Sequence, residues 1–559
     1  MMATKKPGRQ AIGSGIRGGH KGKLAVISVR SVIFATVAAA VFMIGAAHFA
    51  FVRQNQNAAT EEGLSFVATT NAAFRSPTED DQSSPRSHDA NINTSFRIQK
   101  NNLDSIHNAD RKLENPDPAT GRTERTVVGG AKHKIVEGGH IHQTSHEGEK
   151  YHIVFSTDCS AYQHWQSYVL FYSALKVGQE GFVTRIASGC SDKDGKAELE
   201  WHNKHIRGPM SDKFGLHLTP HFSSVKKDGE VVGDYEFFNK PFGLRHWMEH
   251  GEGMGINTNT GAMKNEDMII VLLDPDQILL RPFTDDFSND DEVLIHNSRK
   301  ENRKFKVEHG APFAQLYGLG ARWQKFNLDV IAGKDSPAKE VSSQYANRHY
   351  PAGPPYLATA RDMYQIAMKW TETVPKVHAE YPHLLAEMYA YCIAAADKKL
   401  PHQIVDSLMV SATGMNGEGW SLVDRVPAEE VCEYASNLDH KVHALPNVMH
   451  LCQRYMLGKH FFGKRRLPKD FFTCESPMLI EVPGDIALKY DYRIPPPPHK
   501  PPGEKKPVSK KIVKRETFML CAVTTALNEA SEFFKRHACE GVKGTDYSKS
   551  MDLWNVPLS

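Results

Sequence analysis

The run of residues 268–273 constrains this chain most, because six consecutive apolar residues lead directly into Asp274 and Asp276. An apolar run of this length, bounded by charge, predicts a strand buried on both faces, as inside a parallel sheet. Ligands of open α/β sheets bind at the carboxyl ends of strands, and residues i and i+2 of an extended segment point the same way. The sequence therefore predicts two converging carboxylates that hold a hard divalent cation together with phosphate oxygens. The alternative is an acidic turn between two core strands.

The overall composition limits the class of protein. With 559 residues, of which 40% are hydrophobic and 24% charged, the chain can form a globular core diluted by polar segments. Its net charge of +3 is small for this length and gives no case for nucleic acid as a partner. We find neither repeats nor coiled-coil heptads, which argues against a purely structural protein.

The N-terminal region predicts a membrane anchor. Residues 31–52 are uncharged and apolar, long enough to cross a bilayer core of roughly 30 Å. Residues 1–30 form a basic tail without any acidic residue, so the positive-inside rule places this tail in the cytosol. The sequence thus predicts a single-pass type II protein whose bulk lies in the lumen. The alternative is a cleaved signal peptide, whose apolar core is normally shorter.

A polar segment follows the predicted anchor. Residues 53–148 are rich in Asn, Ser, Thr, Asp, Glu and His, and this composition predicts a disordered lumenal stem that contains the sequon at Asn93. All eight cysteines lie beyond residue 150, and a lumenal location permits disulfides, although their connectivity stays open. Because no C-x-x-C pair occurs, a thiolate zinc site is not indicated.

A βαβ unit is predicted where the polar segment ends. Residues 151–158 indicate a strand, residues 162–175 an amphipathic helix, and residues 182–186 a second strand. The polar residues at the end of the first strand lie where nucleotides commonly bind in such folds, although they also suit a helix N-cap. The candidate nucleotide-binding and phosphate-binding residues are Ser156, Thr157, Asp158, Arg185 and Lys240. Most lysines are simply solvated, which is the alternative for Lys240.

Two further polar residues lie beside apolar patterns in the second half of the chain. Glu387 stands on a predicted helix over 383–398 and is a candidate for positioning the acceptor or stabilising the transition state. Its alternative role is pairing with an arginine or capping a backbone group. His450 ends a second mostly apolar stretch, residues 444–450. It is a candidate third metal ligand through a neutral ring nitrogen. The alternative is a histidine satisfied within the core.

The rest of the chain divides into segments of different character. Mixed signals over 284–350 predict a variable insert over the site. The Pro/Lys-rich residues 493–514 indicate an extended linker, and residues 515–559 an amphipathic helix and tail that pack back on the core. The remaining residues, 149–492, form the predicted catalytic domain.

Taken together, these landmarks resemble one family, the plant and algal hydroxyproline O-arabinosyltransferases with the related peptidyl serine α-galactosyltransferases. The resemblance covers roughly 150–490. The matching motifs, in order, are HIVFSTD at 152–158, WQ at 165–166, GFVTRI at 181–186, NKP at 239–241, LDPD at 273–276, RP at 281–282, GPPY at 353–356 and AEMYAY at 386–391.

This resemblance implies an α/β, GT-A-like glycosyltransferase domain with a mixed, mainly parallel sheet flanked by helices, in a type II Golgi membrane protein. Our hypothesis is that Asp274 and Asp276 hold Mn²⁺ or Mg²⁺ on the diphosphate of a UDP-sugar, with His450 completing the metal site and Glu387 facing sugar or acceptor. The sugar would pass, with retention of configuration, to a hydroxyl of hydroxyproline or serine in an acceptor protein. The insert and the C-terminal segment depart from the family pattern, so acceptor choice is the least transferable property.

A second hypothesis keeps the scaffold without turnover, as a catalytically inactive lumenal protein that binds carbohydrate or peptide. It predicts that removing metal leaves ligand binding unchanged and that UDP is released from no donor. The intact Asp-X-Asp argues against it.

Overall fold

A computed structural model describes the chain in two main stretches, 148–489 and 509–540. Within and beyond them, the undescribed gaps are 228–229, 252–253, 291–292, 294 and 296–302, and the last described residues are 545, 547, 549–553 and 556. The predicted basic tail, membrane anchor and stem, and most of the predicted linker, lie outside the described residues. Within the described stretches, no helix is both long enough and apolar enough to span a bilayer.

The described residues form sixteen strands and eleven α-helices. The strands are β1 Tyr151–Asp158, β2 Phe182–Ser188, β3 Phe214–Thr219, β4 Ser224–Lys227, β5 Glu230–Asp234, β6 Ile269–Leu273, β7 Gln277–Leu279, β8 Phe313–Leu316, β9 Ala352–Thr359, β10 Gln403–Val405, β11 Met409–Val410, β12 Val448–His450, β13 Tyr455–Leu457, β14 His460–Phe462, β15 Met478–Leu479 and β16 Ser550–Met551. The α-helices are α1 Gln163–Lys176, α2 Asp192–His202, α3 Asn239–His250, α4 Leu328–Ile331, α5 Ser343–His349, α6 Ala360–Glu380, α7 Ala386–Asp397, α8 Trp420–Asp424, α9 Val431–Ser436, α10 Ile486–Lys489 and α11 Lys510–Ala538.

A seven-stranded sheet with the order β10-β8-β9-β6-β1-β2-β3 forms the centre of the fold. Strands β6, β1, β2 and β3 run parallel, while β9 runs antiparallel to both β6 and β8. This confirms the predicted mixed, mainly parallel sheet and the predicted βαβ unit of β1, α1 and β2. All five residues of β6 are buried, as predicted. Strand β6 itself pairs parallel with β1 and antiparallel with β9, so it lies where the sheet changes direction.

Helices cover both faces of this sheet. Side chains of a strand alternate between its two faces, so Ile153 and Phe155 pack with α1 and α11 on one side. Val154 and Leu272 pack with α3, α6 and α7 on the other. The parallel strands β1, β2, β3 and β6 all end at the same edge, which is where polar residues follow them.

The prediction of a variable insert over 284–350 is partly wrong. Strand β8 lies inside this segment and pairs with β9 and β10 within the main sheet. Strand β8 has only four residues, too few to make a recognisable apolar run, so the sequence did not predict it. The helices after it pack under α6 and α7, and residues Leu319, Trp323 and Ile331 are buried there.

The C-terminal helix differs from its predicted bounds and is fully part of the fold. Helix α11 begins at Lys510, where the Ser509 side chain caps it by accepting from the Ile512 N–H, and not at residue 515. The basic residues of its first turn look like a continuation of the Pro/Lys-rich linker, which explains the difference. Two of the three disulfides, Cys432–Cys521 and Cys474–Cys539, tie this helix to the body; the third is Cys159–Cys190.

Glu516 on α11 makes the stability of the fold depend on pH. Its carboxylate accepts hydrogen bonds from the Thr413 hydroxyl at 2.6 Å and the Met456 N–H at 2.9 Å. Burial nevertheless raises the pKa of this carboxyl to about 7. The folded state therefore binds this proton more tightly than the unfolded chain, so the stability it contributes is complete below the unfolded pKa of roughly 4.3 and is lost as pH rises through about 7.

We expect Glu516→Gln to remove this loss, because a neutral amide can accept from Met456 and donate to Thr413. Between about pH 4.5 and 8, urea unfolding should lose on the order of 2–3 kcal/mol more in the wild type than in the variant. Glu532→Gln, at an exposed position of the same helix, is the matched control and should keep the wild-type pH dependence. Equal pH dependence in wild type and Glu516→Gln would contradict the assignment.

Candidate functional site

The two aspartates lie in the turn that joins β6 to β7, at the carboxyl edge of the sheet. The Asp274 N–H donates to Oε1 of Gln277 at 3.1 Å, which closes this turn locally. Strand β7 then pairs antiparallel with β12, so that Gln277 lies opposite His450. The Leu451 N–H donates to the Asp276 carbonyl at 2.9 Å and fixes the register. Strand pairing therefore carries His450 to the aspartates from far along the chain.

Asp274, Asp276 and His450 form one cluster of potential metal ligands. One ligand atom from each residue lies within 4.8 Å of the others. Nε2 of His450 is 3.1 Å from Oδ1 of Asp276 and 3.8 Å from Oδ2 of Asp274. The structure thus brings together all three residues that the sequence predicts as metal ligands.

Two lysines neutralise the two aspartates. Nζ of Lys240 lies 2.6 Å from Oδ1 of Asp274, and Nζ of Lys464 lies 2.6 Å from Oδ2 of Asp276. Burial alone would raise the pKa of the Asp276 carboxyl, but Lys464 and His450 outweigh it and hold this pKa well below its usual range. Lys240 is therefore at the site, as predicted, while Lys464 was missed. Its Lys-Arg-Arg context resembles a solvated basic turn, and no local signal distinguishes it.

Glu387 lies deep beside this cluster, in the first turn of α7. Its side chain is 2% exposed, and Oε1 is 3.2 Å from Nζ of Lys240 without accepting a well-directed hydrogen bond. Its backbone N–H donates to the Tyr235 hydroxyl, which anchors the start of the helix. Burial raises the pKa of the Glu387 carboxyl to about 7, against the opposing charge of Lys240. The site thus contains a carboxyl group that changes protonation near neutral pH.

The end of β1 supplies the predicted nucleotide-binding residues, in different roles. Oγ of Ser156 is buried and has no hydrogen-bond partner among the described residues, so the fold itself does not use this hydroxyl. Oγ1 of Thr157 accepts from Nε of Arg185 at 2.9 Å. Oδ1 of Asp158 accepts from the Ser160 N–H at 2.8 Å in the loop before α1. The alternative of a helix N-cap is wrong, because Tyr162 is the N-cap of α1 and no side chain caps this helix. Ser156 is therefore the most available of the three.

The predicted phosphate contact at Arg185 is wrong. Its side chain is fully buried, and Nη1 pairs with Oε2 of Glu198 at 2.7 Å. The same guanidinium donates to Thr157 and to the Asp158 carbonyl. It holds the end of β1 in place from behind, since its position in the middle of a buried strand keeps it away from any ligand at the edge.

Two tyrosines at the site were not predicted. The Tyr317 hydroxyl lies 3.3 Å from Nδ1 of His450, on the ring edge opposite the aspartates. The Tyr162 hydroxyl is buried without a hydrogen-bond partner among the described residues, and this burial raises its pKa. Tyr317 follows the concealed strand β8, and Tyr162 looked like part of the apolar face of a helix.

These residues fit a divalent cation. Two carboxylates and one imidazole are a ligand set of oxygen and nitrogen, which suits Mn²⁺ and related ions. Buried polar atoms in proteins normally have partners, and Ser156, Tyr162 and Glu387 each offer an unpartnered oxygen in this region. A ligand with several polar groups would satisfy them.

Comparison with known proteins supports the family resemblance. No family model matches the chain. A peptidyl serine α-galactosyltransferase of Arabidopsis thaliana is 25% identical over 274 residues, covering 47% of this chain and 27% of the relative. One of the same name from Chlamydomonas reinhardtii is 31% identical over 132 residues, covering 24% of this chain and 14% of the relative. The chain thus spans about a quarter or less of the length of these relatives.

Among solved structures, similar chains include the bifunctional glycosyltransferase WbbM (10% identity, TM-score 0.28, covering 55% of this chain and 46% of that one). The galactosyltransferase LgtC in complex with donor and acceptor sugar analogues gives 11% identity and a TM-score of 0.25, covering 54% and 87%. At TM-scores this low, the solved structures carry no argument about the function of this chain.

The sequence relatives place this chain among the relatives of glycosyltransferases. The resemblance to the peptidyl serine α-galactosyltransferases, predicted from the motifs, is confirmed.

Proposed function

We propose that this chain is a metal-dependent, retaining glycosyltransferase of the GT-A type. It transfers a sugar from a UDP-sugar to a hydroxyl of hydroxyproline or serine in proteins of the secretory pathway. The observation that carries the proposal is the cluster of Asp274, Asp276 and His450 at the carboxyl edge of the sheet. Residues 31–52 support the further proposal that the enzyme is anchored in the Golgi membrane with this domain in the lumen.

In this proposal the edge of the sheet holds the diphosphate of the donor. Asp274, Asp276 and His450 would hold Mn²⁺ or Mg²⁺, and a cation bound there neutralises charge on the leaving diphosphate. Lys464 and Lys240 add two positive charges at the same place, and this supports a doubly charged ligand. Ser156, at the end of β1, offers its free hydroxyl to the nucleotide.

Glu387 would serve the sugar or the acceptor. It is buried beside Asp274 and Lys240, and because the pKa of its carboxyl is about 7, the ionised form predominates only above that pH. An ionised carboxylate there can stabilise positive charge that develops on the sugar, or accept the proton of the acceptor hydroxyl. Either role uses the oxygen that accepts no hydrogen bond in the structure.

The test is a panel of UDP-sugars offered to the purified full chain with Mn²⁺, with release of UDP as the readout. We expect one donor to release UDP, and removal of metal by EDTA to lower the rate by at least about 100-fold. Added Mn²⁺ should restore it. Peptides that contain either serine or hydroxyproline then distinguish the acceptors. If no donor releases UDP, the chain is instead the inactive binding protein. If UDP is released but EDTA has no effect, the proposed metal dependence is wrong.

A further inference from the structure

The two carboxylates of the metal-ligand cluster are already paired with ammonium groups of the protein itself. Asp274 is paired with Lys240 and Asp276 with Lys464, each at 2.6 Å. A divalent cation that entered between these carboxylates would lie beside two ammonium groups. The repulsion is strong at such distances in a partly buried site. The pairing seen in the structure therefore opposes the binding of a cation on its own.

We propose that Lys464 exchanges partners, leaving Asp276 when a divalent cation binds and pairing instead with the diphosphate that arrives with the cation. This inference rests on the proposed function and adds a coupling between its two ligands. The exchange makes the binding of metal and of nucleoside diphosphate mutually dependent.

Charge balance gives the direction of this coupling. The cation alone adds two positive charges beside carboxylates that are already paired with lysines, and a diphosphate alone is repelled by those two carboxylates. Together their charges offset each other, because the diphosphate pairs with the lysine that the cation displaces. Each ligand therefore raises the affinity for the other, and by linkage the two effects are equal.

Lys464 is better placed for this exchange than Lys240. The Lys240 side chain is 10% exposed, lies in the first turn of α3 and contacts both Asp274 and Glu387. The Lys464 side chain is 33% exposed and begins a short 3₁₀ turn, 464–466, after the β13–β14 hairpin. Its ammonium can turn toward solvent without breaking a second ion pair among the described residues.

The test measures Mn²⁺ affinity of the full chain by the electron paramagnetic resonance signal of free Mn²⁺, with and without UDP. In the wild type, UDP should tighten Mn²⁺ binding by about 5- to 150-fold, the usual range of such couplings. In Lys464→Gln, Mn²⁺ alone should bind more tightly than in the wild type, by roughly 10-fold, and the effect of UDP should shrink by a similar factor. Lys459→Gln removes an exposed lysine from the same hairpin and should behave as wild type.

Three results would separate the possibilities. If folded Lys464→Gln keeps the wild-type effect of UDP, the exchange is wrong and the proposed function stands, even if Mn²⁺ alone binds more tightly. If wild type binds Mn²⁺ neither with nor without UDP, the exchange and the proposed function both fall. Lys464→Arg keeps the charge and should keep the coupling; a folded Arg variant that loses it would also overturn the exchange.

Discussion

Replacing Asp276 by asparagine is expected to lower the rate of sugar transfer on the order of 1,000-fold. The carboxylate is 7% exposed and lies between Nε2 of His450 and Nζ of Lys464. Asparagine keeps the size of the side chain but removes the negative charge that both partners face. A cation would then meet one carboxylate instead of two, and its positive charge would be less well compensated. Steady-state turnover with the active UDP-sugar, at increasing Mn²⁺, measures the loss.

The same strand provides the control. Asp267 precedes β6 at its other end and is 87% exposed, so Asp267→Asn should leave turnover unchanged and stability within about 0.5 kcal/mol. Asp274→Asn should behave like Asp276→Asn. If both site variants keep wild-type turnover and metal dependence, the proposed metal site is wrong. Thermal unfolding of each variant shows whether the fold is intact.

Replacing Arg515 by methionine is expected to lower the free energy of unfolding by about 3–5 kcal/mol, because it breaks a largely buried ion pair. The guanidinium is 4% exposed and binds both oxygens of Asp424, at 2.9 and 2.7 Å. It also donates to the carbonyls of Thr413 and Met415 and lies over the ring of Trp420. Methionine keeps an apolar side chain at this position but removes the donor that these acceptors share.

Lys511 offers a matched control for this prediction. Its Nζ lies 3.3 Å from the same carboxylate of Asp424, but its side chain is 54% exposed. Since exposed ion pairs contribute little, Lys511→Met should cost less than about 1 kcal/mol. Denaturant unfolding of the full chain with intact disulfides compares the two. Equal effects of the two substitutions would show that burial of Arg515 does not determine the energy.

Local patterns predicted the elements that carry the site but not their partners. The apolar run 268–273 predicted a buried strand that delivers Asp274 and Asp276, because a strand needs only its own residues to be recognisable. The βαβ unit and the helix that carries Glu387 were recognisable for the same reason. The short strands β8 and β12 were not, since three or four residues make no periodic signal. Their places depend on pairing with distant strands.

The sequence by itself determined the aspartates, the strand before them and the family resemblance. Only the tertiary structure decided what surrounds the aspartates. His450 and Lys464 reach Asp276 across 174 and 188 residues of chain, and Arg185 turns out to be buried behind β1 instead of facing a ligand. The sequence determines the charge of a side chain, but long-range strand pairing and burial determine its partner. Those contacts turn an Asp-X-Asp turn into a candidate metal centre.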